Sequence, residues 1–480
     1  MNAGQVLELL KHFESRNVTF IEPDGSWPTV WERARGAQVW DADGKKYLDL
    51  TAAFGVAAAG HANPHVVKAG QRQMAKLPHA MGDVHPHALK AELARELSRI
   101  TFERWSATVN PPPTSPKESS RHTATIGPFP SREGSGVGLK NAHVERHPHK
   151  VRLRTSARAK TIFCNSGFEA VEAALKTAML ATGKRGVIAF EGAYHGLGYG
   201  ALNTTHRAHF HSHFRSQLGG FGHFVPFPAE GARDGLAEIE SQIYRLFGRE
   251  KIGAVLVEPI QVRGGINIPL PEFLPLLRRL CDERGALLVL DEIYTGFGRT
   301  GKWFACEHSG TVPDILCLGK ALTGGFPLSG CVGRSDVMDA AWPPSTGEAI
   351  HTSTFLGHPV GCAMALAQIK EITRLQLVRR SSKLGLLLLE MLSELSAHHL
   401  PVSLSARGLG LLAGLEVCDH DGSPANKPAL RIIKAMLRRG YLVLPEGEHA
   451  NVVSFTPPLT ITSRQLQAAV AALAEILKHQ

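Results

Sequence analysis

The 480-residue chain has no uninterrupted apolar run approaching the ~18 residues of a membrane-spanning helix. Its seven cysteines, at 164, 281, 306, 317, 331, 362 and 418, are odd in number, and no two have C-x-x-C spacing. A disulfide framework is not indicated, and reduced thiols in a cytoplasmic protein are expected. The first sixteen residues carry Glu8, Lys11 and Glu14 among their apolar positions, so the basic start and apolar core of a secretory signal are missing. What is present is an ordinary globular balance, 43% hydrophobic and 20% charged, which excludes wholesale disorder. At ~100–200 residues per domain, this length predicts two or three domains or one large α/β unit.

The net charge of +10 is unevenly spread. Residues 107–158 hold nine basic and three acidic residues, a net +6, which leaves +4 on the other 428. The same stretch contains seven prolines and only eight Leu, Ile, Val or Phe in 52 positions, below the ~20% of a packed core. No helical or strand period runs through it, so a disordered surface insert is expected. Aromatic side chains do not interleave its charges as stacking platforms would, so no nucleic-acid partner is expected. A sequence or splicing artefact is the remaining reading of this segment.

Beyond the insert, short apolar runs alternate with helical patterns. Strands are predicted at 161–164, 186–190, 222–227, 252–257, 286–290, 314–318 and 329–333, and helices at 169–182, 236–247 and 272–284. Val171, Ala174, Leu175 and Ala178 form one apolar helical face. This alternation predicts an α/β fold with a mainly parallel sheet covered on both faces, with ligands beyond the carboxyl ends of its strands. The C-terminal part has helical patterns at 360–375, 382–396, 428–439 and 463–478 around short apolar segments at 411–417 and 441–444, as in an α+β domain. Residues 41–50 (DADGKKYLDL) predict a hairpin turning at Asp43-Gly44.

Three features carry chemistry. Asp291 ends the run 286–290 and should sit at the tip of a buried strand, where a carboxylate is costly unless paired. Lys320 follows 314–318 and Gly319, an apolar, glycine-rich setting that can lower an amine's pKa. Alone, the first could be a loop carboxylate and the second a snorkelling surface lysine. Together they match the Schiff-base lysine and ring-facing aspartate that pyridoxal phosphate needs. Between a strand and a helix, Asn165-Ser-Gly-Phe-Glu169 has capping-box spacing, and Gly167 and Phe168 could equally offer N–H groups to a phosphate at the helix N-terminus. The loop lacks the P-loop pattern of nucleotide sites.

In order, NSGFEAVEAALKTA, EGAYHG, VEPIQ, LDEIYTGFGRTG, PDILCLGKAL and HTSTFLGHP resemble the signatures of the class III (ornithine/ω-type) aminotransferases, fold type I pyridoxal-phosphate enzymes. The similarity runs from about Asp41 to Thr462, excluding the insert. It implies a mainly parallel seven-stranded sheet domain plus a smaller α+β domain. The expected division is 1–75 as part of the small domain, 76–340 as the cofactor domain interrupted by 107–158, and 341–480 as the rest of the small domain. It implies pyridoxal 5'-phosphate as cofactor and no metal. Lys320 would form the Schiff base and move the substrate's proton, and Asp291 would keep the ring nitrogen protonated. Tyr194 would stack on the ring, Ser166, Gly167 and Phe168 would hold the phosphate, and Glu258 would orient groups nearby. Thr354 would complete the phosphate cup of the neighbouring subunit, making a homodimer the minimum active unit. The implied reaction moves an amino group between an amine or amino acid and a keto acid. An aminomutase, epimerase or lyase using the same cofactor, or a non-catalytic member impaired by the insert, are the alternatives.

The chain departs from the family pattern in three places. Tyr294 stands where members usually have Gln, near the cofactor's 3'-oxygen; its phenol could still donate there. Val262-Arg-Gly-Gly265 follows VEPIQ where many members read GEGG, and Ser454 stands where the substrate-binding arginine usually lies. Both members of the usual carboxylate switch are therefore absent, and Arg263 is a candidate carboxylate ligand. The third departure is the insert, which enters just before the strand leading to the phosphate loop. Gly408-x-Gly410-x-x-Ala413 imitates a dinucleotide fingerprint without its strand–turn–helix setting. The histidines at 206, 209, 211 and 213, and at 143, 147 and 149, have no thiol or carboxylate partner at ligand spacing and are expected at the surface.

Overall fold

The computed structural model describes residues 1–109, 158–228, 233–396 and 400–478. The sequence expectations for 110–157 therefore lie outside the described residues. The ends of that stretch are tied down. The chain leaves through a helical segment, Arg104–Val109, so helix continues past position 107. Arg104 pairs with Glu307, whose Oε1 also accepts from Trp105 Nε1 at 3.1 Å. The chain returns at Arg158, whose carbonyl accepts the Ser335 N–H at 3.0 Å, and the next N–H, of Ala159, donates to Ser98 Oγ at 2.9 Å.

Three strands lie near the N-terminus: β1 (Trp31–Arg35), β2 (Gln38–Asp41) and β3 (Lys46–Asp49). β2 and β3 form the hairpin expected from Asp43-Gly44, with Gly44 at φ +84. Seven more strands follow: β4 (Ala159–Cys164), β5 (Gly186–Phe190), β6 (Gly222–Val225), β7 (Ile252–Val257), β8 (Leu287–Asp291), β9 (Ile315–Leu318) and β10 (Ser329–Arg334). They build one sheet in the order β4-β10-β9-β8-β7-β5-β6. Every neighbouring pair is parallel except those made by β10, which runs antiparallel to both β4 and β9. β5, β7, β9 and β10 are buried at every position. This explains why β5, β7 and β9 read as apolar runs and not as alternating ones. β6 stops at Val225, two residues short of the expected end, because Pro226 has no N–H for the ladder.

The helix Gly167–Thr182 covers one face of this sheet, packing on β9 and β10. Its buried side is small, with Ala170, Ala173, Ala174 and Ala178, so the helix lies close to the strands. Gly183, at φ +67, ends it in the left-handed conformation usual for a helix stop. The opposite face packs a bulkier core that includes Phe190, Phe273, Leu277 and Leu290.

The C-terminal strands are β11 (Ser403–Leu409), β12 (Leu412–Cys418), β13 (Tyr441–Leu442), β14 (Leu444–Glu446) and β15 (Val452–Phe455). They divide between two sheets: β11-β12-β15-β14, wholly antiparallel, and β1-β2-β3-β13, in which β13 runs parallel to β3. Residues 441–444 read as one segment in sequence but split at Val443, because Leu442 pairs with Asp49 while Leu444 pairs with Ser454. The glycine pattern at 408–413 is the β11–β12 hairpin, where Gly410 (φ +58) sits against the backbone of Thr300 and Gly301. Among the described residues, no helix is long and apolar enough to cross a membrane.

Candidate active site

A cavity of about 450 Å³ opens beyond the carboxyl ends of the central strands. β8 delivers Asp291 to its floor. Asp291 is 5% exposed; its Oδ1 accepts the Ile293 N–H at 3.1 Å and its Oδ2 accepts from His195 Nδ1 at 2.8 Å. His195 is itself buried, and its backbone N–H donates to Thr205 Oγ1 at 3.0 Å. The motif EGAYHG contained this histidine, but sequence reasoning gave it no role; its pairing with a residue 96 positions away is visible only in the fold.

β9 delivers Lys320. Gly319 is extended, and Lys320 turns at φ +35, a left-handed conformation that costs a non-glycine residue about 1–3 kcal/mol. Burial lowers the pKa of its amine, while the charges of Asp291, Glu258 and Glu446 oppose that shift. Its Nζ lies 4.6 Å from the centre of the Tyr294 ring. Tyr294 presents this ring face inward and turns its hydroxyl to Thr456 Oγ1 at 3.2 Å. Gly55 backs the same ring so closely that a Cβ there would lie 2.9 Å from it. Burial pushes the Tyr294 hydroxyl up to about 12.

Glu258 follows β7 and accepts the Tyr194 N–H at 3.1 Å. Burial, reinforced by Asp291, raises its carboxyl to about 7, with His195 and Lys320 pulling the other way. Tyr194 packs edge-on against Phe210 at 5.3 Å between ring centres. At the start of the helix Gly167–Thr182, Glu169 Oε2 accepts the N–H groups of Asn165 and Ser166 at 2.6 and 2.9 Å. Ser166 and Glu169 stand in the capping-box arrangement expected from their spacing, with Ser166 Oγ buried and making no hydrogen bond of normal geometry among the described residues. Phe168 is pinned by the AYHG loop. Gly196, at φ +110, lies so close that a Cβ there would sit 2.3 Å from Phe168 Cβ.

The cavity thus gathers Gly167, Phe168, Tyr194, Glu258, Asp291, Tyr294 and Lys320, with Ser166 beside the first two. Thr354 is not among its walls and lies exposed in the segment 351–357. Arg263 lines the cavity too, 5.9 Å from the Tyr194 ring centre, and its Nη1 pairs with Glu446 Oε2 at 2.9 Å. Glu446, at the end of β14, is a site residue that no sequence motif announced. Among the described residues, no group of three or more His, Cys, Asp or Glu could hold a metal ion.

The residues fit pyridoxal phosphate. Ser166 Oγ is an orphaned polar atom at the positive end of a helix, where a phosphate would satisfy it. A carboxylate oriented by His195 and a lysine under desolvation line the same space.

The sequence model for class III aminotransferases matches residues 21–111 and 136–477. The chain is 33% identical over 456 residues to the 5-aminovalerate aminotransferase DavT of Pseudomonas aeruginosa, covering 93% of each. It is also 33% identical over 450 residues to an acetylornithine aminotransferase of Methanosarcina mazei, covering 94% of this chain and 92% of that one. Its fold superposes on a Bacillus anthracis aminotransferase with TM-score 0.82 at 24% identity over the full length of both. It superposes on the PLP-bound form of an amine transaminase from an uncultivated Pseudomonas species with TM-score 0.79 at 25% identity, covering 97% and 98%. The chain belongs to the class III aminotransferases. It is accordingly a fold type I, pyridoxal-phosphate-dependent enzyme.

Proposed function

We propose that the amino-group transfer runs through Lys320 and Asp291, with Arg263 receiving a carboxylate of the substrate. Pyridoxal phosphate, when bound, supplies a ring that takes up the electron pair left on the substrate carbon as its proton departs. The protein's part is positional and protonic. Asp291, oriented by His195, would pair with the ring nitrogen and favour its protonated form. Lys320, held over the Tyr294 ring, would attach the cofactor and hold the moving proton at its Nζ. Tyr194 would lie against the ring, its backbone held in place by Glu258. Ser166 and the N–H groups of Gly167 and Phe168 hold the phosphate. The observation that carries this reading is the convergence of Asp291, Lys320 and the helix start at Gly167 and Phe168 on one cavity, with the unsatisfied Ser166 hydroxyl on the adjoining residue.

The active unit is a homodimer in which Thr354 completes the partner's phosphate cup. Thr354 lies exposed outside its own cavity, flanked by Ile350 (69% exposed) and Phe355 (52%). Asp83 is linked to this segment by the Thr352 hydroxyl at 2.6 Å, and its neighbours Met81 and Val84 are exposed as well. The enzyme works in the cytoplasm; all seven cysteines are free and six of them are buried. The small domain combines 1–75 with 341–480, as the β3–β13 pairing suggests.

Substrates are an amine or amino acid and a keto acid, at least one bearing a carboxylate for Arg263. An Arg263→Ala enzyme should lose a charge-assisted contact worth about 1.5–3 kcal/mol, which is roughly a 10- to 100-fold rise in KM for carboxylate-bearing substrates. Steady-state kinetics over a panel of donors and acceptors tests this. A KM for keto acids that stays at the wild-type value would remove Arg263 from the substrate site.

A further inference from the structure

We propose that Tyr294 is a positioning residue for Lys320: the face of its ring holds the lysine's amine in the cavity and favours the amine's charged form. Its part in the reaction rests on the reading that Lys320 attaches the cofactor and holds the moving proton. The family resemblance implies a glutamine-like donor at this position; the structure gives the tyrosine another geometry. The Thr456 hydroxyl donates to the Thr51 carbonyl at 3.1 Å, so its oxygen accepts from the Tyr294 hydroxyl at 3.2 Å. With the hydroxyl committed there, Tyr294 turns its ring face to Lys320, whose Nζ stands 4.6 Å from the ring centre. That is inside the ~6 Å over which the negative face of an aromatic ring attracts an ammonium.

The ring is fixed from two sides by one stretch of chain. Thr51, whose carbonyl ends the hydrogen-bond relay, is itself tied to the buried Asp49: its N–H and its hydroxyl both donate to Oδ1, at 2.8 and 2.6 Å. Thr51 leads into Ala52, Ala53, Phe54 and Gly55, four consecutive residues at φ +46, +49, +59 and +80. Such a run is rare for non-glycine residues and persists only where its surroundings over-determine it. It brings Gly55 so close to the Tyr294 ring that a Cβ would lie 2.9 Å from Cε1.

The amine, by contrast, is loosely held. No hydrogen bond or ion pair ties the Lys320 Nζ among the described residues, and its own backbone turns at φ +35. Asp291 at the end of β8, Glu258 after β7 and Glu446 at the end of β14 favour its charge, while burial and Arg263 oppose it. An amine that must both take and release a proton works best when neither form dominates. Burial pushes Lys320 toward the neutral form, and the ring face offsets part of that push. A ring face does this without a directional hydrogen bond, so the amine stays free to attach and detach.

The test is the pH dependence of Lys320 labelling in the full-length enzyme freed of cofactor, with trace acetic anhydride as reagent and mass spectrometry of the Lys320 peptide. Only the neutral amine reacts, so the rate against pH gives the amine's titration midpoint. Tyr294→Phe keeps the ring face and should titrate with wild type. Tyr294→Leu removes it and should titrate lower by about 0.4–1.5 pH units, roughly a 2.5- to 30-fold loss of proton affinity. Phenylalanines carrying one, two or three ring fluorines at position 294 keep the shape while weakening the ring's negative face, and should lower the midpoint stepwise. A midpoint not lowered in Tyr294→Leu, a Tyr294→Phe shift as large as that of Tyr294→Leu, or a flat fluorine series would each overturn the proposal. Should Tyr294→Leu not fold, the fluorine series decides alone. Cofactor attachment is read separately from the colour of the loaded enzyme, so the two readings can fail independently.

Discussion

Replacing Lys320 with alanine should abolish amino transfer, lowering kcat by at least about 10⁴-fold, the upper range for a general acid–base group. Lys320 is the lysine among the cavity's walls, and the other cation there, Arg263, is paired with Glu446. No neighbouring amine is therefore placed to substitute for it among the described residues. The fold should survive the change. No hydrogen bond ties the Lys320 amine among the described residues, and burial already penalises its charge. Unfolding free energy should stay within about 1 kcal/mol of wild type, measured by urea denaturation of the cofactor-free protein. Reduction of the loaded enzyme with borohydride, followed by peptide mapping, gives an independent readout. Wild type should carry the cofactor's mass on the peptide containing Lys320, and the alanine variant on no peptide. Label on another lysine would move the attachment site.

The second large effect is expected for Asp291→Asn. The change is nearly isosteric: an amide oxygen can still accept the Ile293 N–H, so the loop after β8 should hold. What is lost is the negative charge and the acceptor facing His195 Nδ1. If the amide nitrogen faces His195, two donors oppose each other, unless the ring changes tautomer and places its proton on Nε2, an atom without a partner among the described residues. Removing a preorganised charge from beside the reacting ring should lower kcat by about 10²–10³-fold. The cofactor should also bind more weakly, which a fluorescence titration would measure. A His195→Gln enzyme should show a smaller loss, because Asp291 keeps its charge but loses its orienting partner. An Asp291→Asn enzyme with undiminished kcat would exclude the aspartate from the ring's protonation.

Much of the central sheet was legible because its strands are buried on both faces. Runs such as 252–257 and 314–318 contain almost no polar residues, so their positions emerged within a residue or two. The tips of two such runs, Asp291 and Lys320, were legible for the same reason: an ionisable residue ending a buried strand is a physical anomaly that asks for a partner. β1 and β11 were not legible, since their exposed and partly buried positions alternate with polar residues much as a loop's do. Tyr294 was visible as a departure from the family pattern, but not the direction of its hydroxyl, which depends on Thr456, 162 residues away. Glu446 sits in PEGE, a sequence with every sign of a surface turn. Its burial follows from the β14–β15 pairing and its partner from a loop 183 residues earlier, neither of which leaves a local trace.

The central claim is that this cavity stores an amino group on its cofactor between two substrates. A single-turnover experiment tests it most directly. Loaded enzyme is mixed with an amine or amino-acid donor in the absence of a keto acid, the free donor is removed, and a keto acid is then added. The account predicts that the cofactor's absorbance changes once, stays changed after the donor is removed, and returns on adding the keto acid with one equivalent of new amino acid per site. Release of ammonia, a rearranged amine or an epimerised donor, with no stored amino group, would contradict it.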